Sequence, residues 1–78
     1  MVRVNVECFG ELRRFFNKGE NQRELEMEEG AAVTDIYRRL GIPLGDIYGA
    51  SVNGEWVEPQ RPLADGDRVL LFPPMTGG

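Results

Sequence analysis

Histidine is absent from this 78-residue chain, and cysteine occurs once, at Cys8. The first absence removes the Ser-His-Asp triad, the Cys-His pair and every imidazole metal ligand. The second removes an intrachain disulfide, a zinc knuckle and a four-thiolate iron–sulfur cluster. Basic residues are in the minority: nine Lys and Arg against thirteen Asp and Glu leave a formal net charge of −4. A polyanion is held by clustered cations, so no nucleic-acid partner is expected. Long apolar runs are missing too. Nothing approaches the ~20 consecutive residues of a membrane span, and the first residues alternate where a signal peptide would be continuously apolar. No membrane partner is expected, and a lone, unpaired thiol fits a cytoplasmic setting.

What is present is a folding composition, with 41% hydrophobic and 9% aromatic residues, unlike that of a disordered chain. A chain of this length buries only ~60–65% of its unfolded surface. That allows one small core and leaves little for a deep pocket.

Val2, Val4, Val6 and Cys8 alternate with Arg3, Asn5 and Glu7, a period of two that predicts a half-buried strand. Cys8 shares the apolar parity and reads as a small buried hydrophobe. A short helical turn around Leu12 and Phe15 or Phe16 and the turn cluster Asn17–Asn21 follow. A second strand is predicted over Arg23–Glu28, with Leu25 and Met27 inward. Strand, turn and strand form a long-looped hairpin. Glu24, Glu26, Glu28 and Glu29 match no Ca²⁺-loop spacing and read as a solvated face. Val33, Ile36, Tyr37 and Leu40 recur at i, i+3, i+4 and i+7, one apolar helix stripe, and Gly41 closes it. Ala32 is a poor N-cap, about 1 kcal/mol worse than Ser or Thr, and Thr34 is an alternative cap for a shorter helix.

Ala50–Val52 and Glu55–Val57 flank Asn53-Gly54, the strongest hairpin-turn signal in the chain. Pro59 and Pro62 keep the next stretch irregular. Asp65-Gly66-Asp67 turns into the apolar strand Arg68–Phe72. The element order predicts an α+β fold, a five-stranded mixed β-grasp sheet with one principal helix at Val33–Leu40. Strands one and five lie side by side at its centre. Residues 1–72 form the domain and residues 73–78 a flexible C-terminal Gly-Gly tail.

The tail reads Pro73-Pro74-Met75-Thr76-Gly77-Gly78. Its six residues reach at most ~20 Å, and Gly77 and Gly78, lacking Cβ, suit a narrow channel. An ionised Gly78 carboxylate can attack the α-phosphorus of ATP to give an acyl-adenylate, and sulfur can then displace AMP to leave a thiocarboxylate. No side-chain nucleophile in the chain has an evident base.

Four stretches carry a family resemblance: Cys8-Phe9-Gly10-Glu11-Leu12-Arg13, Val52-Asn53-Gly54-Glu55, Pro62-Leu63-Ala64-Asp65-Gly66-Asp67-Arg68-Val69 and Phe72-Pro73-Pro74-Met75-Thr76-Gly77-Gly78. The chain resembles the MoaD/ThiS-type sulfur carriers of the ubiquitin-like proteins, in particular the branch of molybdopterin synthase small subunits. It departs from the family pattern at Arg14, Ala32 and Met75. The resemblance implies a co-substrate and not an enzyme, with no cofactor of its own. Its partners are an E1-like adenylating enzyme with ATP, a sulfurtransferase, and the large subunit of molybdopterin synthase, which receives the tail Met75, Thr76, Gly77 and Gly78. Phe9, Trp56 and Phe72 are the expected docking residues, since strand five is apolar on both faces. Three other readings begin from the same features: a protein modifier joined to lysines through Gly78, a carrier for the thiamine thiazole or another sulfur metabolite, and a non-covalent β-grasp binding module.

Overall fold

The alternation of the first residues sets the inner face of β1 (Val2–Cys8), where Val4, Val6 and Cys8 are fully buried. The computed structural model describes residues 1–74. A 3₁₀ turn (Gly10–Phe15) buries Leu12 and leads to β2 (Gln22–Met27), antiparallel to β1. Next come α1 (Val33–Leu40), a second 3₁₀ turn (Leu44–Asp46), β3 (Gly49–Val52), β4 (Glu55–Val57) and β5 (Arg68–Phe72). The sheet order is β2-β1-β5-β3-β4, with β1 and β5 parallel at the centre and the other pairs antiparallel. This is the mixed five-stranded, one-helix arrangement of the ubiquitin-like β-grasp.

Three strand limits differ from the sequence reading by one residue: both ends of β2 and the start of β3. β2 runs from Gln22 to Met27 because Gln22 pairs with Glu7, and β3 begins at Gly49 because that residue pairs with Phe72. The helix limits agree. Val33, Ile36 and Tyr37 turn inward and join Val4, Val6, Leu25, Met27, Leu63, Val69 and Leu71 in one core. Gly41 ends α1 at φ +75°, a left-handed conformation that suits a residue without Cβ. The tight β3–β4 turn has positive φ at both Asn53 and Gly54, as a type I′ hairpin requires.

The start of α1 is capped by an unpredicted route. Ala32 is the N-cap and has no side-chain acceptor; Thr34 lies inside the helix. The loop with two prolines does the work instead: Val33 N–H donates to the Arg61 carbonyl at 3.0 Å and Thr34 N–H to the Pro59 carbonyl at 2.9 Å. Asp35 completes the end by accepting the Ala32 N–H at 2.8 Å. That loop is held in turn by Asp67, which is buried and accepts bonds from Ala64 N–H, the Arg61 guanidinium and the Asn53 amide at 2.8–2.9 Å. Burial pushes the Asp67 carboxyl up, but these three donors outweigh it and hold it below the usual range.

The helix covers one face of the sheet only. On the other face, Arg3, Asn5 and Glu7 of β1 lie beside Glu26, Glu24 and Gln22 of β2. Farther along the parallel pair, Leu70 and Phe72 replace the charges. The uncovered face is therefore charged at one end and apolar at the end where the chain leaves β5. No helix among the described residues is long and apolar enough to cross a membrane.

Candidate functional site

The apolar end of the open face is built from four aromatic residues on different elements. Phe9 follows β1 and is anchored by its N–H, which donates to the Leu71 carbonyl at 3.1 Å. Its ring stacks on Phe72 with centroids 5.0 Å apart and planes 2° apart. Trp56 of β4 stacks on the other side of Phe72 at 5.7 Å. Tyr48 closes the row, 5.8 Å from Trp56 and tilted by 53°. Its N–H donates to the Phe72 carbonyl at 2.9 Å, which ties it to the end of β5. Offset or tilted rings at such spacings attract one another beyond the area they bury.

The structure thus brings together the three aromatic residues singled out from the sequence. Phe9 and Phe72 are half-buried, while Trp56 and Tyr48 are exposed, at 59% and 69%. Tyr48 was missed. It stands outside any alternating run, in the connector before β3, and only the β3–β5 pairing brings it to the row. The Gly-Asp-Ile-Tyr-Gly stretch gives no periodic signal that would have found it.

The row lies beside the exit of the chain from the body. Pro73 packs over Gly10, where a Cβ would stand 3.0 Å from the proline Cγ. Pro74 edges a small groove lined by Leu12, Arg14 and Asp46. Arg14 pairs there with Asp46 and lies over the Phe15 ring at 4.9 Å, so the cation that departs from the family pattern is held locally. A surface groove between the β2–α1 loop and the helix shares no residue with the aromatic row. The four predicted tail residues, Met75, Thr76, Gly77 and Gly78, and the flexibility expected of them, lie outside the described residues.

Other chemistry is scarce. Cys8 is fully buried, and burial pushes its thiol up to about 11, with Arg23 opposing more weakly and Glu7 adding a little. At neutral pH it is a protonated core side chain and a poor nucleophile. Among the described residues no three Cys, Asp or Glu side chains converge to hold a metal. Glu24, Glu26, Glu28 and Glu29 are all exposed. What the described chain offers is an apolar surface of stacked aromatics beside the start of the Pro-Pro segment.

Comparison with known proteins agrees with this geometry. The ThiS family matches residues 6–78. A putative molybdopterin converting factor subunit 1 from Pyrococcus furiosus is 30% identical, with a TM-score of 0.75 over 96% of this chain and 100% of that one. A protein–protein complex of subunits 1 and 2 of molybdopterin-converting factor from Helicobacter pylori contains a chain that is 25% identical, with a TM-score of 0.64 over 99% of this chain and 100% of that one. A threonine–tRNA ligase from Protochlamydia amoebophila is 32% identical over 73 residues, 92% of this chain and 10% of the ligase. The chain thus spans about a tenth of the length of that curated relative.

Proposed function

The chain belongs to the ThiS family, and from that premise we propose that it carries sulfur as a thiocarboxylate on Gly78 and delivers it for molybdopterin synthesis. It has the ubiquitin-like fold of the ThiS/MoaD-type carriers, small proteins that are generally not catalysts. The observation that carries the proposal is the family match, which runs unbroken from the body through residue 78 and so includes the Pro-Pro-Met-Thr-Gly-Gly segment.

In this reading residues 1–72 are the body, and residues 73–78 the arm that is chemically altered. A carboxylate oxygen of Gly78 attacks the α-phosphorus of ATP on an E1-like adenylating enzyme, and pyrophosphate leaves. The outer sulfur of a sulfurtransferase persulfide then adds to the acyl carbon and AMP leaves; a thiol cleaves the resulting acyl disulfide, forming a new disulfide with the sulfurtransferase sulfur and releasing the thiocarboxylate. Gly77 and Gly78 let the arm thread a passage that a Cβ would block, with Met75 and Thr76 spanning the distance to the body. Cys8, protonated and buried, does not compete for the sulfur. Phe9, Trp56 and Phe72 form the face that meets the large subunit of the synthase. That choice of partner is supported by the Helicobacter relative, whose structure is a complex of subunits 1 and 2.

The test is intact-mass measurement after incubation with the cognate adenylating enzyme, ATP and a sulfur donor. Wild type gains the oxygen-to-sulfur increment at Gly78. A variant lacking Gly78 shortens the reach by ~3.3–3.6 Å and stays unmodified while melting at the wild-type temperature. Sulfur on Cys8, or equal loading of the shortened chain, contradicts the proposal.

A further inference from the structure

Gly49 opens β3 beside Phe72, yet nothing in its backbone calls for glycine. Its φ lies outside the left-handed region, unlike that of Gly10, Gly41 or Gly54. Glycine is a poor strand former, and inside a sheet it commonly marks a place where another group comes close. Here that group is Trp56. A Cβ on Gly49 would stand 2.1 Å from Cζ2 and 2.7 Å from Cη2 of the indole, far inside contact distance. Trp56 pairs with Ser51, so its ring runs diagonally over the sheet and rests on the bare backbone of Gly49. From there it closes on Phe72 on one side and Tyr48 on the other. Diagonal neighbours on a sheet face lie within reach of an aromatic side chain.

We propose that Gly49 is a positioning residue for docking. By presenting no side chain it lets Trp56 lie across β3 and join Tyr48 to Phe72 and Phe9 in one continuous apolar surface, which the large synthase-type subunit covers. The choice of occupant rests on the docking proposal above; the placement of Trp56 does not. Two features favour that occupant. The added pair is continuous with Phe72 and Phe9, and the row lies at the end of β5 from which the chain runs on toward Gly78. The six residues after Phe72 reach at most ~20 Å, so a protein that receives their end sits within that distance of this end of the sheet. With a methyl group at position 49 the indole must swing outward. Its exposure leaves it room to do so without disturbing the core.

Trp56 is the only tryptophan in the chain, so indole emission reports its surroundings alone. In the free protein Gly49→Ala is expected to move the emission maximum to longer wavelength and to leave the melting temperature unchanged. Binding to the large subunit from the same source, followed by titration calorimetry, is expected to weaken roughly tenfold or more. In a Trp56→Ala background the same change at position 49 is expected to leave affinity unaltered, because its effect runs through the ring. Unaltered emission, an equal loss of affinity without Trp56, or a marked fall in melting temperature overturns the proposal. If wild type does not bind the large subunit, the partner named under Proposed function falls, and the emission of the free variant alone decides the role of Gly49.

Discussion

Cys8 shows how far a single buried side chain can be followed from sequence to solution behaviour. Its parity with Val4 and Val6 placed it inside, and it is fully buried at the end of β1, paired with Leu71 of β5. Burial raises the thiol from its ordinary 9.0 to about 11. A group whose folded-state pKa is raised contributes stability that is whole below the unfolded value and lost as pH climbs through the folded one. The window here is therefore pH 9 to about 11. Urea midpoints of the wild type are expected to fall across it. The Cys8→Ala variant is expected to show a shallower fall, with the remainder supplied by Tyr37, also raised by burial. Parallel slopes in the two proteins would contradict the assignment. Tyr48 is the opposite case at the same scale. Its position depends on β3 pairing with β5, and no local pattern in the sequence encodes that pairing.

At the scale of the element, α1 is legible at one end and opaque at the other. The stripe Val33, Ile36, Tyr37 and the terminal Gly41 fix its extent from residue types alone. Its N-terminus does not follow from residue types, because the acceptors are the backbone carbonyls of Pro59 and Arg61. A carbonyl is the same in every residue, so only the folded loop reveals it. The same fact removes an apparent defect. A serine at position 32 would normally gain about 1 kcal/mol by accepting an N–H of the first turn. The Thr34 N–H is already taken by Pro59, and the Asp35 N–H bonds the Ala32 carbonyl at 2.9 Å. Ala32→Ser is therefore expected to change stability in urea unfolding by less than about 0.5 kcal/mol. A full capping gain would mean that the loop does not hold the helix in solution.

Over the whole molecule, β5 divides its side chains between two tasks. Val69 and Leu71 face the helix and are fully buried; Leu70 and Phe72 face away. That split was readable from parity, whereas the union of Phe72 with Trp56 depends on a bare Gly49 and was not. Leu71→Ala is expected to cost about 3 kcal/mol in thermal unfolding. Phe72→Ala is expected to melt closer to wild type and to lose about 2 kcal/mol or more in binding the large subunit by calorimetry. The reverse ranking would assign Phe72 to the core. The placement of β5 has a mechanical consequence as well. It is clasped between a parallel β1 and an antiparallel β3. Tension applied to the chain beyond Phe72 and resisted at the start of β1 slides two parallel strands along each other. It loads Asn5–Arg68, Val6–Val69, Glu7–Leu70 and Cys8–Leu71 together and does not open them one by one like a zipper. The body is a clamp under shear, and whatever tugs on the segment after β5 meets that whole ladder at once.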